Sequence, residues 1–165
     1  MNDIWIARLE ESDLAAFQAI RLESLRLAPT AFGNIEADWS SLSDEEWLNR
    51  MRNPIFALFR KQEPIGMMGL MRQRGIKKAH RATLIMVYLR ESERRQGLAD
   101  NLLKAVVAFA KSEGVRQLEL NVSHHNAGAI RFYERHGFEQ VGRIPAALIE
   151  EGQIVDELIM VCRLT

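Results

Sequence analysis

The stretch from Thr83 to Ser112 predicts a buried strand, a short charged turn and a long amphipathic helix. Residues 83–89 are apolar at both alternating sets of positions, which is typical of a strand in the middle of a sheet. The helix carries one apolar stripe at spacings of three and four residues. Its members are Leu98, Leu102, Leu103, Val106, Val107 and Ala110. The rest of the chain must build its sheet and core around this unit.

The junction between this strand and helix, residues 94–99, has the composition of an anion site. The first backbone N–H groups of a helix lack partners, and the helix dipole places partial positive charge there. Gly97 removes the side chain that would hold a phosphate away, Ala99 keeps the next turn small, and two arginines add charge. These features predict a site for a phosphorylated ligand. The alternative is a tight turn that happens to use glycine, because the pattern is a loose one.

A second segment, residues 118–142, predicts a strand, then a short helix and then the start of another strand. Together the two segments resemble the GCN5-related N-acetyltransferases, whose coenzyme signature is [Q/R]-x-x-G-x-[G/A]. The first segment matches that signature at Arg94, Gly97 and Ala99, and the second matches the family's later pattern at Asn126, Ala129, Tyr133 and Gly137-Phe138. The resemblance covers about residues 55–164.

The resemblance implies an α/β (α+β) fold with a mixed, mostly antiparallel central sheet. Helices flank this sheet, and its fourth and fifth strands splay apart. It also implies acetyl-CoA as cosubstrate, with the diphosphate on the amides of residues 95–100 and the Leu89 N–H as a donor to the oxyanion. The coenzyme-binding residues carried over are Val87, Tyr88, Leu89, Arg94, Arg95, Gln96, Gly97, Leu98, Ala99, Asp100 and Asn126.

Tyr133 is the residue that the resemblance assigns as the acid that protonates the departing thiolate. It lies two helical turns after Asn126, and Ala129 between them leaves room on that face. The alternative is a core aromatic on an amphipathic helix. An alkyl amine must lose a proton before it attacks. Relatives that acetylate protein N-termini carry a glutamate where this chain has Asn121, so a water relay or another acid must act here. Glu91 replaces a frequent proline, which the backbone-based turn tolerates.

The connection around residues 29–39 lines the acceptor pocket in the resembled family. Its two carboxylates, Glu36 and Asp38, are candidates to meet a cationic amine. The alternative for both is an ordinary solvated acid on a helix edge. His124-His125 does not predict a metal, since adjacent histidines cannot both face one ion on regular structure. Asp156 and Glu157 alternate across their strand and so do not form an acid/base pair.

Composition limits the remaining classes. At 165 residues the chain predicts a single domain, 1–165. The 22 basic and 22 acidic residues leave no basic footprint for nucleic acid. The lone Cys162 predicts an inert buried thiol. The N-terminal residues do not have a signal-peptide pattern, and no apolar run reaches membrane-spanning length, so we expect a cytoplasmic protein.

The other elements follow from local patterns. Ser12 is expected to cap a helix over residues 13–27, and Ser43 opens a capping box with Glu46. Alternating strands and helices predict a mixed α/β sheet covered by helices. The further predicted elements are strands at 4–9, 55–61, 65–74, 117–122, 138–143 and 154–164, and a helix at 126–135.

The sequence therefore predicts an acetyl-CoA-dependent N-acetyltransferase that acts by direct attack in a ternary complex without a metal. We expect a small-molecule amine as acceptor more than a peptide amine, and the resemblance is compatible with a homodimer. The alternative is a non-catalytic acetyl-CoA sensor or regulatory module. Zero net charge and few aromatic residues disfavour a third class, an RNA- or phosphate-binding domain.

Overall fold

The computed structural model describes residues 3–165, so Met1 and Asn2, the first residues of the predicted domain, lie outside the described residues. Within this range a seven-stranded sheet carries helices on both faces. The strands are β1 (Ile4–Arg8), β2 (Ile55–Arg60), β3 (Glu63–Arg72), β4 (Arg81–Leu89), β5 (Gln117–Ser123), β6 (Glu139–Glu150) and β7 (Gln153–Arg163). The helices are α1 (Leu14–Leu27), α2 (Glu36–Ser40), α3 (Asp44–Arg50), α4 (Leu98–Ser112) and α5 (Ala127–Arg135).

The strand order is β1-β2-β3-β4-β5-β7-β6. Every neighbouring pair is antiparallel except β4 and β5. These two parallel strands pair only at their beginnings, residues 81–83 with 117–119, and then separate. The predicted fold class is confirmed, including the splay between the fourth and fifth strands.

Two hydrophobic cores lie on opposite faces of the sheet. On one face, α4 and α5 bury Leu102, Val106 and Tyr133 against the strands. On the other face, α1, α2 and α3 bury their aromatic side chains, and Phe17 meets Trp47 edge-on with a centroid distance of 5.4 Å. The sheet therefore separates a compartment formed by α4 and α5 from one formed by α1, α2 and α3. A gap between β4 and β5 connects the two compartments.

Three local expectations need correction. Ser12 does not cap α1, because the entry is a short 3-10 turn in which the Asp13 carboxylate accepts the Glu10 N–H at 2.8 Å. Residues 36–40 form the short helix α2, whose few turns give too little periodicity to detect. Strand β6 continues past Arg143 to Glu150, through an irregular register between Ile144 and Leu148. Of the helices in residues 3–165, none combines the length and apolar composition needed to cross a bilayer.

Candidate active site

The separation of β4 from β5 opens a cleft of about 1140 Å³ through the sheet. On this side, the backbone groups of β4 beyond Thr83 face no strand in the part of the chain that the structure describes. Val87, Tyr88 and Leu89 line one wall, whereas Asn121 and Val122 of β5 line the other. Backbone N–H and C=O groups are obligatory hydrogen-bonding groups, so an extended ligand with amide groups fits this wall.

A bulge in β4 shapes the end of the cleft. Met86 has a left-handed φ of 53°, and the β3–β4 register shifts between Met67 and Gly69. A Cβ at Gly66 would lie 2.9 Å from the Tyr88 carbonyl oxygen, and one at Gly69 would lie 2.9 Å from Ile85 Cγ1. Strand β3 therefore admits only glycine at positions 66 and 69. Bulges of this kind redirect a strand near a binding site.

The loop before α4 presents bare backbone groups to the cleft. Arg95 and Gly97 both have left-handed φ values, 63° and 76°. In the described structure no side chain caps the start of α4, so its first N–H groups are free to bind an anion. Arg94 fixes the loop to β4, since its Nε donates a hydrogen bond of 3.0 Å to the Leu89 carbonyl. Gly97, Ala99 and their neighbours 94, 95, 98 and 100 line the cleft, and the Gln96 side chain is exposed in the same loop.

Tyr133 and Asn126 lie where the helical spacing predicts. The Asn126 side-chain oxygen accepts a hydrogen bond from the Ala129 N–H at 3.2 Å and so caps α5. Tyr133 is 6% exposed, packs edge-on against Phe132 and Phe138, and lines the cleft. Burial raises the pKa of its hydroxyl. The hydroxyl therefore stays protonated at neutral pH and can donate a proton.

The two carboxylates expected to meet the acceptor have local partners instead. Glu36 lies 3.6 Å from Arg26, and the Asp38 carboxylate accepts the Ile35 N–H at 2.9 Å. The described residues that line the cleft do not include either acid. In the same connection the wall is formed by Ala31, Phe32, Gly33, Asn34 and Trp39. A role for Glu36 and Asp38 in acceptor binding stays a prediction.

Among the charged side chains that line the cleft and were not predicted from the sequence are Glu157 and Arg21. Glu157 of β7 lines the cleft, and burial together with the charge of Glu150 raises its pKa. Its neighbour Asp156 is held by Arg143 at 2.7 Å. Glu157 could have been found as an acid within an apolar strand. Arg21 of α1 also lines the cleft and is 2% exposed. No signal in the sequence marks it, because an arginine on an amphipathic helix usually faces solvent.

The other candidate groups do not form a site. The rings of His124 and His125 lie against each other at an interplanar angle of 37°, with centroids 3.8 Å apart. Among residues 3–165 no three His, Cys, Asp or Glu side chains come together in a way that could hold a metal ion. Cys162 is half-buried, and burial raises the pKa of its thiol, as expected for an unreactive cysteine.

Comparison with known proteins gives a consistent result. The sequence is 31% identical over 74 residues to an L-methionine sulfoximine/L-methionine sulfone acetyltransferase of Pseudomonas aeruginosa, covering 45% of this chain and 43% of that protein. The chain thus spans less than half the length of the curated relatives it matches.

Two solved structures have the same fold along nearly the whole chain. An acetyltransferase of the GNAT family from Streptococcus pneumoniae superposes with a TM-score of 0.85 at 20% identity, covering 98% of this chain and 99% of that one. The yncA protein of Salmonella typhimurium, solved with its cofactor acetyl-CoA, gives 0.83 at 19% identity, covering 99% and 95%. The sequence model of the acetyltransferase (GNAT) family matches residues 18–138. The chain therefore belongs to the acetyltransferase (GNAT) family.

Proposed function

We propose that residues 1–165 form a single N-acetyltransferase domain that moves an acetyl group from acetyl-CoA to a primary amine of a small molecule. The transfer occurs by direct attack within a ternary complex. The observation that carries the proposal is one continuous cleft that joins an uncapped helix start to a buried tyrosine hydroxyl. The Pseudomonas relative, named for a small-molecule acceptor, supports this choice over a peptide amine.

The residues along the cleft fit the coenzyme from end to end. The free N–H groups of residues 95–100 suit a diphosphate because they combine left-handed turns with a helix start. The edge of β4 at residues 87–89 pairs with no described strand on this side, and apart from the Leu89 carbonyl, which Arg94 occupies, it suits the amides of the pantetheine arm. Asn126, at the far side of the gap, is positioned to contact the same arm.

The chemistry needs a base, an oxyanion donor and an acid. Acetyl-CoA, when bound, supplies a thioester as the acetyl donor. Glu157 is the proposed base, because its raised pKa makes it a better proton acceptor than an ordinary glutamate. The Leu89 N–H faces the developing charge on the carbonyl oxygen. The Tyr133 hydroxyl gives its proton to the departing sulfur.

The test is an amine screen that records free thiol released from acetyl-CoA. An enzyme shows thiol release that depends on the added amine, well above the rate without one. A non-catalytic sensor shows a raised melting temperature with acetyl-CoA but no amine-dependent release with any acceptor. That second pattern would refute the enzymatic proposal while leaving the coenzyme site intact.

Glu157→Gln should change the pH dependence of catalysis. In the wild type, Glu157 takes up a proton as the pH falls through its raised pKa. We therefore expect kcat/KM to decrease on the acidic side of the profile, with a midpoint above the ordinary glutamate pKa of about 4.3. The glutamine variant should lose this acidic-side decrease and about 100-fold in kcat/KM. Glu139→Gln, an exposed acid on the neighbouring strand β6, is the control and should leave the profile unchanged. If kcat/KM of Glu157→Gln still decreases at acidic pH, the base is a different residue.

A further inference from the structure

Arg21 is an arginine buried without a counter-charge. It is 2% exposed, and its Nε and Nη1 atoms are buried with no hydrogen-bond partner within residues 3–165. Its guanidinium lies against two aromatic rings, with Cζ 4.4 Å from the centroid of Trp39 and 4.8 Å from that of Phe32. Cation–π contacts offset only part of the cost of taking a charge out of water.

A second cation increases that cost. Arg50 Cζ lies 4.6 Å from the centroid of the same Trp39 ring. Burial and the charge of Arg50 lower the pKa of Arg21 to about 10, so the Arg21 side chain is still positive at neutral pH. The ion pairs found in the described part of the chain do not involve Arg21 or Arg50. Arg50 is exposed and follows Glu46 by one helical turn, so among residues 3–165 the charge that is both buried and without an ionic partner is that of Arg21.

The position of these charges excludes the coenzyme phosphates as their partner. Arg21 belongs to the core formed by α1, α2 and α3, whereas the free N–H groups at the start of α4 lie on the opposite face of the sheet. Both arginines nevertheless line the same cleft as Tyr133 and Glu157. The wall beside them comes close to β6, since a Cβ at Gly33 would lie 3.5 Å from Leu148 Cδ2. They stand at the side from which an acceptor would approach.

We propose that Arg21, supported by Arg50, binds a carboxylate of the acetyl acceptor, which makes the acceptor a small amino acid-like zwitterion. This inference rests on the proposed N-acetyltransferase function. A guanidinium matches a carboxylate through two parallel N–H···O hydrogen bonds, and such bonds are strongest when both groups are desolvated. The parallel donors of a guanidinium are Nε with Nη2, as in the Arg60–Glu93 pair, or Nη1 with Nη2, so Arg21 Nη2 supplies one donor and the partnerless Nε or Nη1 supplies the other. Glu157 then receives a proton from the amine at the other end of the same molecule.

The experiment compares the standard L-amino acids with their carboxamides as acceptors, using thiol release. For wild type and for Arg21→Met, kcat/KM for each acid is divided by kcat/KM for its amide. Comparing this ratio between the two proteins cancels the difference in amine basicity between acid and amide. The variant should lower this ratio roughly 10- to 100-fold, chiefly through KM for the acids. Arg21→Lys, which keeps the charge but loses the two-pronged geometry, should fall between them. Arg26→Met, on the same helix with its side chain 56% exposed, is the matched control.

Melting curves separate the possible failures. Arg21→Met should fold and melt no lower than wild type, because an apolar side chain replaces an unpaired buried charge. If amines release thiol but the variant affects acids and amides equally, the carboxylate site is refuted and the acetyltransferase stands. If no amine releases thiol, the proposed function fails. The carboxylate site at Arg21 is then tested by the change in melting temperature that amino acids cause. A rise with amino acids that requires Arg21 then supports the site, and no such rise refutes it.

Discussion

Tyr133→Phe is expected to lower kcat about 100-fold or more while leaving the affinity for acetyl-CoA unchanged. The substitution removes one hydroxyl and keeps the ring, which packs edge-on against Phe132 and Phe138 at 5.4 and 5.5 Å. Burial raises the pKa of this hydroxyl, so in the wild type it carries its proton throughout the neutral range. Without it, the sulfur must leave as a thiolate or take its proton from water.

The measurement is steady-state thiol release at saturating acceptor, with acetyl-CoA binding followed separately by thermal shift. Because the ring packing is retained, the melting temperature of Tyr133→Phe without ligand should match that of the wild type. A fall in kcat together with a fall in melting temperature would indicate a damaged core. A normal kcat would show that the proton comes from another group, and Tyr133 would then be a core aromatic only.

Gly97→Glu is expected to abolish the stabilisation that acetyl-CoA gives. Ligand at a hundred times its dissociation constant should stabilise the wild type by about 2.7 kcal/mol, which corresponds to a rise of roughly 5 to 10 °C for a chain of this size. A Cβ at Gly97 would meet only Asp100 Oδ2, at 3.9 Å, so a side chain there extends into open space above the helix start. A glutamate would fill that space with bulk and negative charge.

Two control variants separate the phosphate site from backbone strain. Gly97 has a φ of 76°, where a side chain costs about 1–2 kcal/mol in the absence of any ligand. Gly75→Glu introduces the same residue at a φ of 97° in an open loop, so it should lower the starting melting temperature but keep the full rise with acetyl-CoA. Gly97→Ala adds strain with little bulk and should keep part of the rise. A full rise in Gly97→Glu would mean that the coenzyme phosphates bind elsewhere.

Local sequence patterns predicted the parts of the site that lie close together along the chain. The unit formed by β4, Gly97 and α4 was recognisable because the spacing of apolar residues changes at Gly97. Before it the apolar residues follow a strand pattern, and after it they recur every three or four residues. Asn126 and Tyr133 were identified by the resemblance to the family's motif, and helical spacing places Tyr133 two turns after Asn126, which caps α5. Gly137 stands directly after that helix and has a left-handed φ of 86°, the conformation that favours glycine at a helix end.

Where a segment's structure depends on distant partners, prediction was weaker. Ser12 has the chemistry of a helix cap, but Glu10 and Asp13 form the turn at the start of α1. The length of β6 depends on its long pairing with β7, which continues to Glu150 through an irregular stretch. Neither the turn at the start of α1 nor the length of β6 could be predicted from local propensity, because each depends on contacts that compete with that propensity.

The sequence by itself indicated the family through the residues of its two motifs. Short-range periodicity and glycine placement indicated the strand and helix around the coenzyme loop and the helix that carries Tyr133. Tertiary structure alone decided that Arg21 and Glu157 lie in the cleft. Arg21 on α1 and Glu157 on β7 are 136 positions apart in numbering, and their burial comes from the packing of α1 against Trp39 and from the divergence of β4 and β5. Burial depends on contacts between segments remote in sequence, and a linear pattern of residue types does not record such contacts.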